Sequence, residues 1–283
     1  MKFVKFGPPG EERPGVLRTD GSIADVSSLA ADIAPGAEDF DRLLHVEDRV
    51  LAALPTAPAG MRLGCPVGRI GKVVGVGLNY REHAKESNSP IPTEPIIFLK
   101  ANTSISGPYD DVSLPRDSVK TDWEVELAVI MGRRASGVSK ERALDYVLGY
   151  SICNDVSERE HQLERGGQWT KGKSHDTFCP IGPWLVTKDE VADPQRLRLW
   201  CDVGEVRRQD SNTADMIFTV AECVSYISEF MTLLPGDVIT TGTPQGVGLG
   251  LKPPQYLRAG DIVRLGIEGL GEQLQNIKPH RAR

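Results

Sequence analysis

Two glutamates, Glu124 and Glu126, sit one residue apart inside an otherwise apolar run, Trp123-Glu124-Val125-Glu126-Leu127. In a strand, side chains two apart project from the same face with their backbones less than about 7 Å apart. Two anions that close repel, and burying them is costly unless a cation compensates. A third acid, Asp155, follows the next apolar run, Tyr146 to Cys153. Three carboxylates with no Cys/His cluster form a hard, all-oxygen donor set. Such a set suits Mg2+ or Mn2+ with positions left open for water and substrate. The bland alternatives are a half-exposed strand whose wet face carries Glu124 and Glu126, and a strand-end turn or cap for Asp155.

Three further segments carry candidate chemistry. In Asn79-Tyr80-Arg81-Glu82-His83-Ala84-Lys85-Glu86, a helical turn would make His83 and Glu86 neighbours at i, i+3. A carboxylate beside an imidazole fixes its tautomer and raises its basicity; the alternative is a solvated surface turn. In Ser157 to Gly167, Ser157 and Glu160 read as a capping box opening a helix over Ser157–Arg165, with Arg159 and Gln162 on one side. That pair could hold a substrate carboxylate and carbonyl beside a metal, or belong to a wet helix face. In Thr240-Thr241-Gly242-Thr243-Pro244-Gln245-Gly246, glycines permit close backbone approach and Thr243 offers a hydroxyl, or the segment is a simple loop.

Gly167-Gln168-Trp169-Thr170-Lys171-Gly172-Lys173-Ser174 matches the P-loop spelling. The P-loop works only between a strand and a long helix, and here a hydrophilic helix precedes while Pro180 and Pro183 follow, so the match is a decoy. Lys173 keeps its interest as a cation that could stabilise an enolate near a metal, or as an ordinary surface lysine. There is no G-x-S-x-G, and Gly75-Val76-Gly77 lacks the third glycine of a dinucleotide fingerprint.

The elements that must position these residues are mostly short strands. Phe3–Phe6, Gly15–Leu17 and Ile23–Val26, split by turn formers, predict a small antiparallel meander. Phe40, Leu43, Leu44, Val50, Leu51 and Leu54 fall on one helical face, and Pro55 to Gly60 reads as a linker. Beyond it, apolar runs recur at Val73–Leu78, Ile96–Leu99, Glu124–Met131, Tyr146–Cys153, Trp184–Val186, Leu197–Val203, Val238–Thr240 and Ile262–Ile267. Helical pattern is confined chiefly to Ser157–Arg165 and Val220–Met231. The class is therefore α+β and β-rich, with a small N-terminal α+β domain over residues 1–66 and a larger one over 67–283.

Bulk properties exclude other classes. At 283 residues, 40% hydrophobic and 25% charged, the chain has the makings of a large core. A net charge of −6 speaks against nucleic acid as partner, and the short basic tail Lys278 to Arg283 reads as frayed. Five scattered cysteines without a C-x-x-C pair fit reduced thiols, and no apolar stretch reads as a signal peptide or membrane span. A cytoplasmic location is expected.

Taken together, GVGLNYREHAKE, EPIIFLK, TDWEVELAVIMG, GYSICNDVSERE, GKSHDTFCPIGPWLVT, RQDSNTADMIF and LLPGDVITTGTPQGVG resemble the fumarylacetoacetate hydrolase family, in order and spacing, from about residue 70 onward. The N-terminal region and length further resemble the branch of 2,4-diketo-3-deoxy-L-fuconate hydrolases, near acylpyruvases and isomerase/decarboxylases. The resemblance implies a mixed β-sandwich roll and a homodimer. It places the metal ligands on Glu124, Glu126 and Asp155, and the histidine–glutamate dyad on His83 and Glu86 in a lid segment. The lysine falls on Lys173, and substrate positioning on Arg159, Gln162 and Thr243. Fumarylacetoacetase carries a further acidic ligand near its histidine with no evident counterpart here, where Asn79 sits in that neighbourhood, which favours Mg2+ or Mn2+ over Ca2+. The implied activity is hydrolytic C–C cleavage of a 2,4-diketo acid to pyruvate and a second acid. The alternatives are decarboxylation or keto–enol isomerisation, a non-catalytic keto-acid binder, and a nucleotide-binding protein. Lid residues Ser87–Thr93 and the N-terminal region are expected to select the distal part of the substrate.

Overall fold

The computed structural model describes residues 1–280; residues 281–283, the end of the basic tail, lie outside the described residues. Its centre is the strand Val125–Met131, buried along its whole length. It pairs antiparallel with Val147–Asn154 on one side and with Val238–Thr240 on the other. These three belong to an eleven-stranded sheet. Beyond Val147–Asn154 the sheet continues through Cys179–Thr187 to the N-terminal meander Lys2–Phe6, Arg13–Leu17 and Ile23–Asp25. Beyond Val238–Thr240 it continues through Val73–Gly77 to an edge strand, Ile96–Lys100.

Alternation along the central strand divides the core. Val125, Leu127, Val129 and Met131 pack with Leu199, Val263 and Leu265 of a five-stranded sheet and with the helix Val220–Phe230. Thr219 and Glu222 close a capping box on that helix, and Val220, Cys223, Val224 and Ile227 bury one stripe of it. Ala128 and Ile130 face the other way, into a second core with Phe3, Val16, Ile33 and Phe40. Glu124 and Glu126 share the face of Ala128 and Ile130 by the two-residue period. The N-terminal segment covers that face at its far end, and the glutamates lie beyond its cover. The β-rich α+β class is as expected, and no helix among the described residues is long and apolar enough to cross a membrane.

Two helices differ from expectation. The apolar stripe from Phe40 to Leu54 is two short helices, Glu38–Leu43 and Asp48–Ala53, rather than one. The charged segment predicted as a helix over Ser157–Arg165 instead opens as a short strand, Ser157–Glu158, paired with Thr121–Asp122. Only a single wide turn, Glu160–Glu164, is helical. Ser157 caps nothing: its hydroxyl donates to the carbonyl of Asp155 at 2.9 Å. Glu158, not Ser157, is the organising residue, buried and accepting hydrogen bonds from Ser118 and Thr121.

Candidate active site

Strand register brings the three acids together. Glu126 lies opposite Cys153, and the N–H of Asp155 donates to the carbonyl of Glu124 at 2.9 Å, so Asp155 emerges beside both glutamates on one face. All three carboxylates are buried, and one oxygen from each lies within 4.8 Å of the others. The half-exposed alternative for this strand is thus excluded by its burial.

Around them sits an ordered set of cations. Lys173 Nζ donates to Glu124 Oε2 at 2.8 Å and to Asp155 Oδ2 at 2.6 Å, and Lys100 Nζ donates to the other oxygen of Asp155. Arg159 donates from Nε to Asp122 Oδ2 at 2.8 Å, holds the Gln162 carbonyl from Nη1 at 3.0 Å, and lies 2.7 Å from Glu124. Burial would raise the Glu124 carboxyl, but Lys173 and Arg159 outweigh it and hold the group well below the usual carboxylate range. Glu126 fares differently. Burial, then the charges of Asp155 and Glu124, push its carboxyl well up. Its one hydrogen bond among the described residues comes from the N–H of Gly242 at 2.9 Å.

Charge counting makes the same point. Asp122, Glu124, Glu126 and Asp155 face Lys100, Arg159 and Lys173, leaving one anion without a partner, and Glu126 is that group. An oxygen-rich, net-negative buried cluster of this kind fits a divalent cation.

His83 and Glu86 meet as the spacing predicts. The helix Arg81–Glu86 sets His83 Nδ1 2.8 Å from Glu86 Oε1, and Glu86 also accepts from the N–H of Gly246 at 2.9 Å. The carboxylate therefore orients the imidazole and ties its helix to the 243–248 loop. Thr243 reaches the pocket wall, but its hydroxyl donates to the carbonyl of Val125 at 3.0 Å and accepts from Gln209 at 2.8 Å.

Glu124, Glu126 and His83 open into a pocket of about 120 Å3. Part of its wall is aromatic: Phe98 and Trp169 meet at a ring separation of 5.7 Å. Gly75 and Gly77 exist to seat them, because a Cβ at either would come 2.2 Å from the Phe98 or the Trp169 ring. The Gly-Val-Gly pattern is thus a packing device for a pocket wall. The P-loop spelling is equally structural: Thr170–Lys173 is a single helical turn that delivers a fully buried Lys173 to the acids.

Reasoning from the sequence missed two residues. Asp122 is two positions before Glu124, on the same alternation, and besides Arg159 it accepts from the N–H groups of Gly248 and Leu249. Lys100 ends an apolar edge strand and gave no local sign of its partner.

Residues 72–278 match the family model for the fumarylacetoacetate (FAA) hydrolase C-terminal domain. The chain belongs to the fumarylacetoacetate hydrolase family, a family of enzymes that includes hydrolases. A Burkholderia multivorans protein named no further than a hydrolase is 56% identical over 276 residues, 97% of this chain and 98% of its own length. The fumarylacetoacetate hydrolase of the psychrophile Exiguobacterium antarcticum is 37% identical with a TM-score of 0.86, over 99% of this chain and 100% of that one. Maleylpyruvate hydrolase from Sphingobium sp. SYK-6, solved with manganese(II) and pyruvate, is 31% identical with a TM-score of 0.81, again over 99% and 100%.

Proposed function

We propose that the protein is a divalent-metal-dependent hydrolase that cleaves a carbon–carbon bond in a 2,4-diketo acid, yielding pyruvate and a second carboxylic acid. The observation that carries this reading is Glu126, a buried carboxylate lacking a cationic partner, set beside two paired acids and facing a histidine–glutamate dyad. Glu124, Glu126 and Asp155 would hold Mg2+ or Mn2+. Lewis-acid stabilisation of negative charge on the α-keto acid end is the chemistry such an ion supplies when bound.

The chain's own groups do the rest. His83, held at Nδ1 by Glu86, takes a proton from water at Nε2. The resulting hydroxide adds to the C4 carbonyl. The C3–C4 bond then breaks, its electron pair passing to C3 as the pyruvate enolate, which a proton quenches to the methyl group. Water is consumed, and no oxidant or reductant is needed. Lys173 places a fixed positive charge beside the developing enolate. Arg159 and Gln162 fix the carboxylate and carbonyl of the substrate, and Thr243 shapes the wall opposite.

Product analysis tests this against the decarboxylase and isomerase alternatives. Incubation of 2,4-dioxoheptanoate with the Mn2+-loaded protein should release pyruvate and butyrate in equal amounts. Release of carbon dioxide, or a change of tautomer without cleavage, would overturn the hydrolase assignment.

A further inference from the structure

The pocket's charge is already allotted. Its two permanent cations, Lys173 and Arg159, are bonded to Glu124 and Asp155, and to Asp122 and Gln162. A bound dication and one substrate carboxylate would bring the inner cluster, which has one anion in excess, to neutrality. His83 and Glu86, both largely buried, form their own pair. The rest of the wall is mainly apolar, with Leu78, Phe98, Leu163, Trp169 and Leu249, and carries the hydroxyls of Ser87, Ser89 and Thr243. An adjoining cleft of about 520 Å3 shares Phe98 and Trp169 and has no charged lining residue. A second carboxylate on the substrate would therefore lie against rings and leucines with no side-chain cation to meet it, a placement that forfeits part of its hydration without a compensating charge.

Resting on the reading of the site as a 2,4-diketo acid hydrolase, we infer that it selects substrates whose distal group is uncharged, an alkyl or hydroxylated chain, and rejects those ending in a second carboxylate. Phe98 and Trp169 are the contact surface for that chain. Leu163, 43% exposed at the rim, is the position where a cation would have to stand for the opposite preference.

The test compares three ligands by calorimetry on the Mn2+-loaded His83→Gln variant, which keeps the three acids and lacks the base, so that the diketo acids are not consumed during the titration. Oxalate reports on the α-keto acid end alone. The matched pair 2,4-dioxoheptanoate and 2,4-dioxoheptanedioate differ only in a terminal methyl or carboxylate. Oxalate should bind, and the neutral diketo acid should bind at least about tenfold more tightly than the dicarboxylate. Leu163→Arg should narrow or reverse that ratio. Oxalate binding together with equal or tighter binding of the dicarboxylate, with Leu163 intact, overturns this inference and leaves the hydrolase reading standing. Failure of oxalate and of both diketo acids to bind overturns the two together.

Discussion

Lys100 and Asp155 form an ion pair from which both side chains are wholly shut off from solvent. The lysine closes the edge strand Ile96–Lys100, and the acid follows the strand Val147–Asn154, so the pair joins segments far apart in the sheet order and pins one proposed ligand in place. Removing one partner of a buried pair leaves the other charge uncompensated, at a cost of about 3–5 kcal/mol. Asp155 keeps Lys173 as a partner, so Lys100→Met should lower the stability of the metal-free protein by less than that, about 1–3 kcal/mol. Added Mn2+ restores the missing positive charge, so it should raise the melting temperature of the variant by more than it raises that of the parent. Equal melting temperatures without metal would contradict the role given to Lys100.

Glu86 joins His83 to the backbone of Gly246, so one carboxylate both sets the imidazole and fixes the helix that carries it. Glu86→Gln keeps the shape and loses the charge. Loss of a general base's orientation should lower kcat by about 10²–10³-fold, while affinity for Mn2+, measured by calorimetry, stays at the parental level. A parallel loss of metal affinity would mean that the helix supports the acids rather than the proton transfer.

Much of this arrangement is legible in the sequence, for identifiable reasons. Glu124 and Glu126 stand out because charge inside an apolar strand breaks a strong local pattern, and the i, i+3 spacing of His83 and Glu86 is a property of one turn. What depends on distant partners is not legible. The attachment of Lys2–Phe6 to Cys179–Thr187 joins segments far apart in the chain, and no local periodicity encodes it. Ser157 to Arg165 looks helical because its charges suit a wet helix face. Its actual path follows from Glu158, which is buried against Ser118 and Thr121. Asp122 could have been found, since it extends the Glu124–Glu126 alternation by one step, whereas Lys100 could not.

Behind the site His161 Nδ1 lies 2.8 Å from His175 Nε2, a hydrogen bond that requires at least one neutral ring. Burial, then the neighbouring His161, lowers the affinity of His175 for a proton below that of an ordinary histidine. As pH falls through the unfolded-state value near 6.5, the unfolded chain takes up a proton that the folded chain refuses, so stability falls with it. Thermal unfolding followed from pH 7.5 to 5.5 should show a falling melting temperature. His175→Asn should flatten the part of that slope due to this residue, and an unchanged slope in the variant would remove His175 as its source.

The central claim is that Glu124, Glu126 and Asp155 together hold one catalytic divalent ion. The most direct test is a titration of chelator-treated protein with Mn2+, following pyruvate release from 2,4-dioxoheptanoate alongside bound metal. Activity should be absent at first, rise in step with binding and saturate at one ion per chain, while Glu126→Gln should fold but show neither binding nor release over the same range. Full pyruvate release by the chelated protein, or by Glu126→Gln, would contradict the account.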